Sequence, residues 1–181
     1  MRLRTLFVAI LAAAIIQTVW VGKMITDRAA ILKNGTEVLL ETGFVDPRDL
    51  FRGHYVTLNL RISQIAKDTV DFTQNFETDT PVWVEIAKGE TGFWHPTAIH
   101  LSNPDGPITL RGIYQSTWGN GSINIDFPFD RYFAPKDRAL ELEDLRNDQR
   151  LGIALAVLPD GTAAVKGIVI DGQPIYDEPI Y

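Results

Sequence analysis

Hydrophobic positions follow two rhythms along this chain, and the first is an unbroken run. Thr5 to Gly22, TLFVAILAAAIIQTVWVG, carries no charge, and its polar side chains are Gln17 and the threonines Thr5 and Thr18. Eighteen helical residues extend roughly 27 Å, enough to cross a bilayer core with Arg2, Arg4 and Lys23 reaching the headgroups at the ends. Ile25, Ala29 and Leu32 keep helical spacing after Lys23, so the helix is expected to continue as a stalk to a C-cap at Asn34-Gly35. A cleaved signal peptide needs small residues just before the cut. The exit from the run is Gln17-Thr18-Val19-Trp20-Val21, and Ala12 to Ala14 lie inside it, so a retained anchor is the expectation. Trp20 suits the far interface. Arg2 and Arg4 favour a cytoplasmic N-terminus, against a smaller pull from Lys23 and Arg28, which puts the body outside the cytoplasm.

The second rhythm has period two. Thr36 to Thr42 predicts a short strand, and His54, Val56, Leu58, Leu60 and Ile62 share one face of the next. Ser63 to Thr80 lacks periodicity and reads as a strand extension followed by a loop. Alternation returns in Pro81 to Lys88, with Val82, Val84 and Ile86 on one side and Trp83 on the other, and a turn at Gly89 to Gly92 leads into Phe93 to Leu101. The turn-rich Ser102 to Pro107 precedes a strand from Ile108 to Gln115. Beyond a turn at Trp118 to Gly121, Ile123, Ile125, Phe127 and Phe129 alternate, with Pro128 placing that strand at an edge or an end. Lys136 to Arg146 predicts a surface helix. Leu151 to Leu158 and Thr162 to Asp171 form a hairpin about Pro159-Asp160-Gly161. The tail repeats Pro-Ile-Tyr too briefly to be an internal repeat.

Many strands without a βαβ rhythm predict a mainly β body, an antiparallel sandwich or partly closed barrel with one short surface helix, preceded by the N-terminal transmembrane helix. The expected division is anchor and stalk over residues 1–33 and a β-rich domain over 34–181.

Between the first two strands lies a compact turn. Asp46 is a good N-cap and Pro47 suits the first helical position, so DPRDLF predicts one helical turn, ended by Gly53 where a left-handed residue is needed. Gly53, His54, Tyr55, Leu58 and Leu60 stand where a motif written G-D-Y-x-x-L-x-Y occurs in a family of bacterial membrane-anchored proteins, the GDYXXLXY proteins, which this chain resembles. His54 replaces the aspartate of the motif and Leu60 its final tyrosine. DPRDLFR, the stretch from Phe129 to Glu143 and the hairpin from Leu158 to Gly172 are similar to that family as well. The resemblance implies a domain tethered to the bacterial inner membrane and facing the periplasm or cell exterior. It also implies a multi-spanning membrane protein as partner, and it assigns no activity. Asp46, Pro47, Arg52, Gly53, His54, Tyr55 and Leu58 are the motif residues, structural or binding in role.

Composition narrows the chemistry. The formal charge is −6 and the two arginines ahead of the apolar run make the body more acidic still, which argues against a nucleic-acid or polybasic lipid-binding surface. No cysteine is present, so disulfides, thiolate metal sites and cysteine nucleophiles are excluded. His95 and His100 are five residues apart and should point to opposite faces of their strand unless a bulge intervenes, with Pro96 the one hint of a bulge. With no HExxH or EF-hand spacing either, neither a metal nor a cofactor is expected. Leu50 to Val56 resembles the Arg-Gly-Asp strand of membrane-anchored signal peptidases, which makes a hydrolase the alternative reading. Those enzymes place a nucleophilic serine before this strand, whereas the first serine here is Ser63. A binding module is the favoured class: Trp83, Trp94 and Trp118 are candidates to line a groove for a glycan, a peptide or the flank of a membrane protein, against a role in core packing.

Overall fold

The computed structural model describes residues 2–42, 56–57, 60–71, 76–117, 121–129, 131–132, 151–170 and 173–177. The helix α1 runs without interruption over Arg2–Asn34. It is long and apolar enough to cross a membrane, and every residue from Thr5 to Arg28 is exposed. Contact with the body begins only near its C-terminal end, where Leu32, 9% exposed, packs with Ala156 and Ala164 beside Ile31. Gly35 closes the helix by donating its N–H to the Ile31 carbonyl at 2.8 Å. A Cβ at Gly35 would lie 2.7 Å from both the Ile31 oxygen and the Val157 nitrogen, so only glycine lets helix and sheet approach this closely.

The chain then enters a nine-stranded sheet built from β1 (Thr36–Glu41), β3 (Gln64–Ala66), β4 (Thr80–Lys88), β5 (Trp94–His100), β6 (Thr109–Thr117), β7 (Ser122–Asp126), β9 (Leu151–Val157), β10 (Ala163–Ile170) and β11 (Gln173–Asp177). The strand order is β11-β10-β9-β1-β5-β4-β6-β7-β3, and β2 (Val56–Thr57) pairs separately with β8 (Arg131–Tyr132). All these pairs are antiparallel except β1 with β5, which meet in parallel at Leu40 and Trp94. The body is thus mainly β and mostly antiparallel, as the alternating pattern predicts.

The sheet is not closed, yet it curls around one core. Val38 and Leu40 of β1, Val82 and Val84 of β4, Ile123 of β7, and Ile153 and Leu155 of β9 belong to a single buried cluster. Bridges from Thr42 to Leu60 and from Asp71 to Ala98 tie the segments flanking β3 back to β1 and β5. On the other side, the Arg111 N–H of β6 donates to the Gly161 carbonyl of the β9–β10 turn at 2.9 Å. Among the described residues the sheet therefore stays open between its edge strands β11 and β3, with a few bonds rather than a strand ladder tying its flanks together.

The closing hairpin is buried on both faces. Ile153, Leu155 and Val157 of β9 point into the core, while Gly152, Ala154 and Ala156 point outward and are also buried. Their small size admits two covers. The end of α1 lies on Ala156, and Phe93 lies on Ala154 and Val169. An uninterrupted apolar run is what a strand covered on both sides requires.

Three expectations change. The strand expected from His54 to Ile62 does not continue to its end, because Arg61–Ser63 forms a 3-10 turn before β3. Leu60, Ile62 and Ile65 are all buried, and their spacing of two then three cannot be met by one uninterrupted strand. The turn, closed by the Ser63 N–H on the Leu60 carbonyl at 3.0 Å, supplies the odd step. The tail, read only as a brief repeat, contributes the edge strand β11. In β5, Glu85 pairs with Ala98 while Ile86 pairs with Pro96, so Thr97 is a bulged residue. The DPRDLF turn, the Trp118 to Asn120 stretch and the helix expected over Lys136 to Arg146 lie outside the described residues.

Candidate functional site

The outer face of β4, β5 and β6 is where polar and aromatic side chains gather. Alternation puts Val82, Val84 and Ile86 inward and leaves Trp83, Glu85 and Ala87 outward. On β6 it leaves Arg111 and Ile113 outward. The Arg111 guanidinium sits over the Trp83 ring, 5.5 Å from its centroid, a cation–π contact worth about 0.5–1 kcal/mol at an exposed site.

Against this face docks the β9–β10 turn, and three successive carbonyls of the turn are taken by three separate elements. The Pro159 carbonyl accepts from the Asn103 side-chain amide at 2.8 Å, the Asp160 carbonyl from the Trp83 indole N–H at 3.1 Å, and the Gly161 carbonyl from the Arg111 backbone N–H at 2.9 Å. Asn103 is itself fixed by the hydroxyl of the buried Thr109, which donates to its side-chain oxygen at 2.7 Å. The turn is stiffened from within by the Thr162 N–H on the Asp160 carboxylate at 2.9 Å. At Gly161, φ is +85° and a Cβ would meet Trp83 Cδ1 at 2.9 Å, so glycine is required both by conformation and by space.

Where β7 separates from β6, an open groove of about 560 Å³ remains between these parts. Pro81, Arg111 and Ile113 form one wall, Asp126, Phe127 and Pro128 the second, and Gly161 with Thr162 the end. Ile113 is 42% exposed, one of two large apolar side chains of the body given up to solvent, the other being Leu101, among the described residues. The lining of the groove is thus mostly apolar, with one cation, Arg111, and one carboxylate, Asp126.

The bulge at Thr97 turns His95 and His100 to the same face, because both now pair with outward residues, Ala87 and Trp83. His100 Nε2 lies 2.9 Å from a Glu85 carboxylate oxygen, an ion pair when the imidazole is protonated. Among the described residues no three His, Asp or Glu side chains converge as metal ligands.

Of the candidate aromatics, Trp83 has its ring covered by Arg111 and its N–H bonded to Asp160, so its geometry is that of a clamp on the turn. Trp94 packs partly buried against the main core. Trp118 lies outside the described residues, as do Asp46, Pro47, Arg52, Gly53, His54, Tyr55 and Leu58. Arg111, Ile113 and Asp126 were not legible as site residues. Arg111 and Ile113 stand at ordinary outward positions of an alternating strand, and only the docking of a hairpin from far along the chain makes them neighbours of a groove.

A family model described as GDYXXLXY protein matches residues 17–168. Comparison with curated proteins and with solved structures finds no match.

Proposed function

The chain belongs to the GDYXXLXY family, and from that premise we propose that it is a single-pass, membrane-anchored accessory or binding module that works outside the cytoplasm beside a membrane protein partner. The carrying observation is the continuity of α1. Its apolar span is exposed on every side, and the same helix runs on, without a linker, to dock Leu32 and Ile31 on the sheet. From Lys23 to Leu32 the helix rises about 14 Å, so the body is held close to the bilayer surface at a fixed distance. Such a strut suits a domain whose partner sits in the same membrane. The groove beside Arg111 supplies a surface on which a segment of that partner can rest.

In this reading residues 1–33 are anchor and stalk and 34–181 the working domain. The motif residues Asp46, Pro47, Arg52, Gly53, His54, Tyr55 and Leu58 serve that domain in a structural or a binding role. The membrane is the bacterial inner membrane, with Arg2 and Arg4 on the cytoplasmic side. Because the chain has no cysteine, Asp105→Cys at an exposed turn gives a single reporter of sidedness. The expected result is labelling by a membrane-impermeant maleimide once the outer barrier is opened and the inner membrane is left intact. Labelling only after the inner membrane is broken overturns the placement.

A further inference from the structure

An aspartate or asparagine followed by glycine is a place where a backbone can rearrange, because the glycine nitrogen, with no Cβ beside it, can reach the carbon of the preceding carboxyl or amide. Three such pairs lie wholly within the described residues, Asn34-Gly35, Asp105-Gly106 and Asp160-Gly161. The fold treats them differently. The Gly35 N–H donates to the Ile31 carbonyl at 2.8 Å and the Gly161 N–H to the Leu158 carbonyl at 3.0 Å, so both nitrogens are engaged. The Asp160 carboxylate is engaged too, accepting from the Thr162 N–H at 2.9 Å. Asp105-Gly106 escapes every one of these restraints. Among the described residues neither the Gly106 N–H nor the Asp105 carboxylate has a hydrogen-bond partner, and both residues are exposed. Gly106 has a φ of +108°, and nothing lies within 4 Å of the position a Cβ would take there, which leaves room for a ring to close.

We propose that Asp105-Gly106 is a site of spontaneous isoaspartate formation and that the fold protects Asp160-Gly161 from the same reaction. The Gly106 nitrogen attacks Cγ of the protonated Asp105 carboxyl. The new N–Cγ bond forms as the carboxyl hydroxyl and the amide proton leave together as water, and the product is a cyclic succinimide. Water then opens the ring at one of its two carbonyls. Opening at Cγ restores aspartate. Opening at the former backbone carbonyl routes the main chain through Cγ, one carbon longer, and leaves the old carbonyl carbon as a free carboxylate. Water is lost and regained, so mass is conserved and no co-reactant is needed. The site lies in the connection between β5 and β6, two residues from Asn103, whose side chain holds the Pro159 carbonyl and accepts from Thr109. A longer backbone there loosens the hold of this loop on the β9–β10 turn.

The test ages the full chain, folded in detergent at mildly acidic pH where the carboxyl is protonated more of the time, and maps isoaspartate by fragmentation mass spectrometry. Isoaspartate is expected at Asp105 and not at Asp160 or Asn34. In urea, with the bonds of the turn gone, Asp160 should react at a rate comparable with Asp105. Gly106→Ala, which sets a Cβ beside the attacking nitrogen, slows the reaction at Asp105 several-fold in folded and in urea-treated chains alike. Aged protein melts below fresh protein, and Gly106→Ala protein aged in parallel shows a smaller fall. The proposal is overturned if Asp105 stays unchanged in the folded chain, if Asp160 reacts there as fast, or if Gly106→Ala makes no difference. A contrast that survives in urea would mean that the local sequence and not the fold sets it, which overturns the protection of Asp160. An isomerised protein that melts like the fresh one overturns the link to the turn.

Discussion

Two stretches of this chain are almost wholly apolar, Thr5 to Gly22 in α1 and Leu151–Val157 in β9, and their surroundings are opposite. In β9 both faces are covered by protein, the inner by the core and the outer by Phe93 and the end of α1. In α1 no residue of the run touches the body. The difference lies in what each could reach. Small outward residues, Gly152, Ala154 and Ala156, let β9 take cover from its own chain, whereas an exposed apolar helix needs a solvent of its own kind, and a bilayer is one. Hydrophobicity alone does not separate a core element from a membrane element. The size of the side chains and the covering elements within reach do.

The comparison breaks most sharply at Gly35, where the two stretches join. Gly35→Ala forces a Cβ against three backbone atoms at 2.7–2.8 Å. It is expected to destabilise the body by roughly 2–4 kcal/mol, a fall in melting temperature on the order of 10 °C in detergent. A loss of less than a degree would mean that α1 is not seated on β9. The same substitution at Gly22 is the internal control, since a Cβ there meets nothing within 4 Å and the helix gains a better former. Gly22→Ala should leave the melt of the body unmoved.

A smaller effect is expected where β9 and β10 clamp onto β4. Trp83→Phe keeps an aromatic ring under Arg111 but removes the donor to the Asp160 carbonyl. The loss should be about 1 kcal/mol, lowering the melting point by roughly 2–4 °C. An unchanged melt would show that the turn is held by the Asn103 and Arg111 bonds alone.

Much of this was legible in the sequence, because most strands bury one face and so print their alternation. Val82, Val84 and Ile86 are buried with Trp83 between them turned outward, and the Pro159-Asp160-Gly161 turn sits where its residues place it. The misreadings have physical causes. Ile65 is buried out of phase with Ile62, so a 3-10 turn interrupts a strand that looks continuous up to that point. β11 carries Pro174 and gains its place by pairing along β10, which no local pattern announces. Of the candidate site, the outward position of Trp83 was readable. Its partners were not, because Asp160 lies 77 residues away in the chain and only the curl of the sheet brings it near.

The central claim is that the apolar run of α1 is a retained anchor carrying the β body as one piece. Washing membranes with alkaline carbonate and measuring the intact mass of the protein tests it directly. The account predicts a chain of about 20.2 kDa, still carrying Thr5 to Gly22, in the membrane pellet. A shorter chain beginning beyond Gly22 and recovered in the supernatant would contradict it.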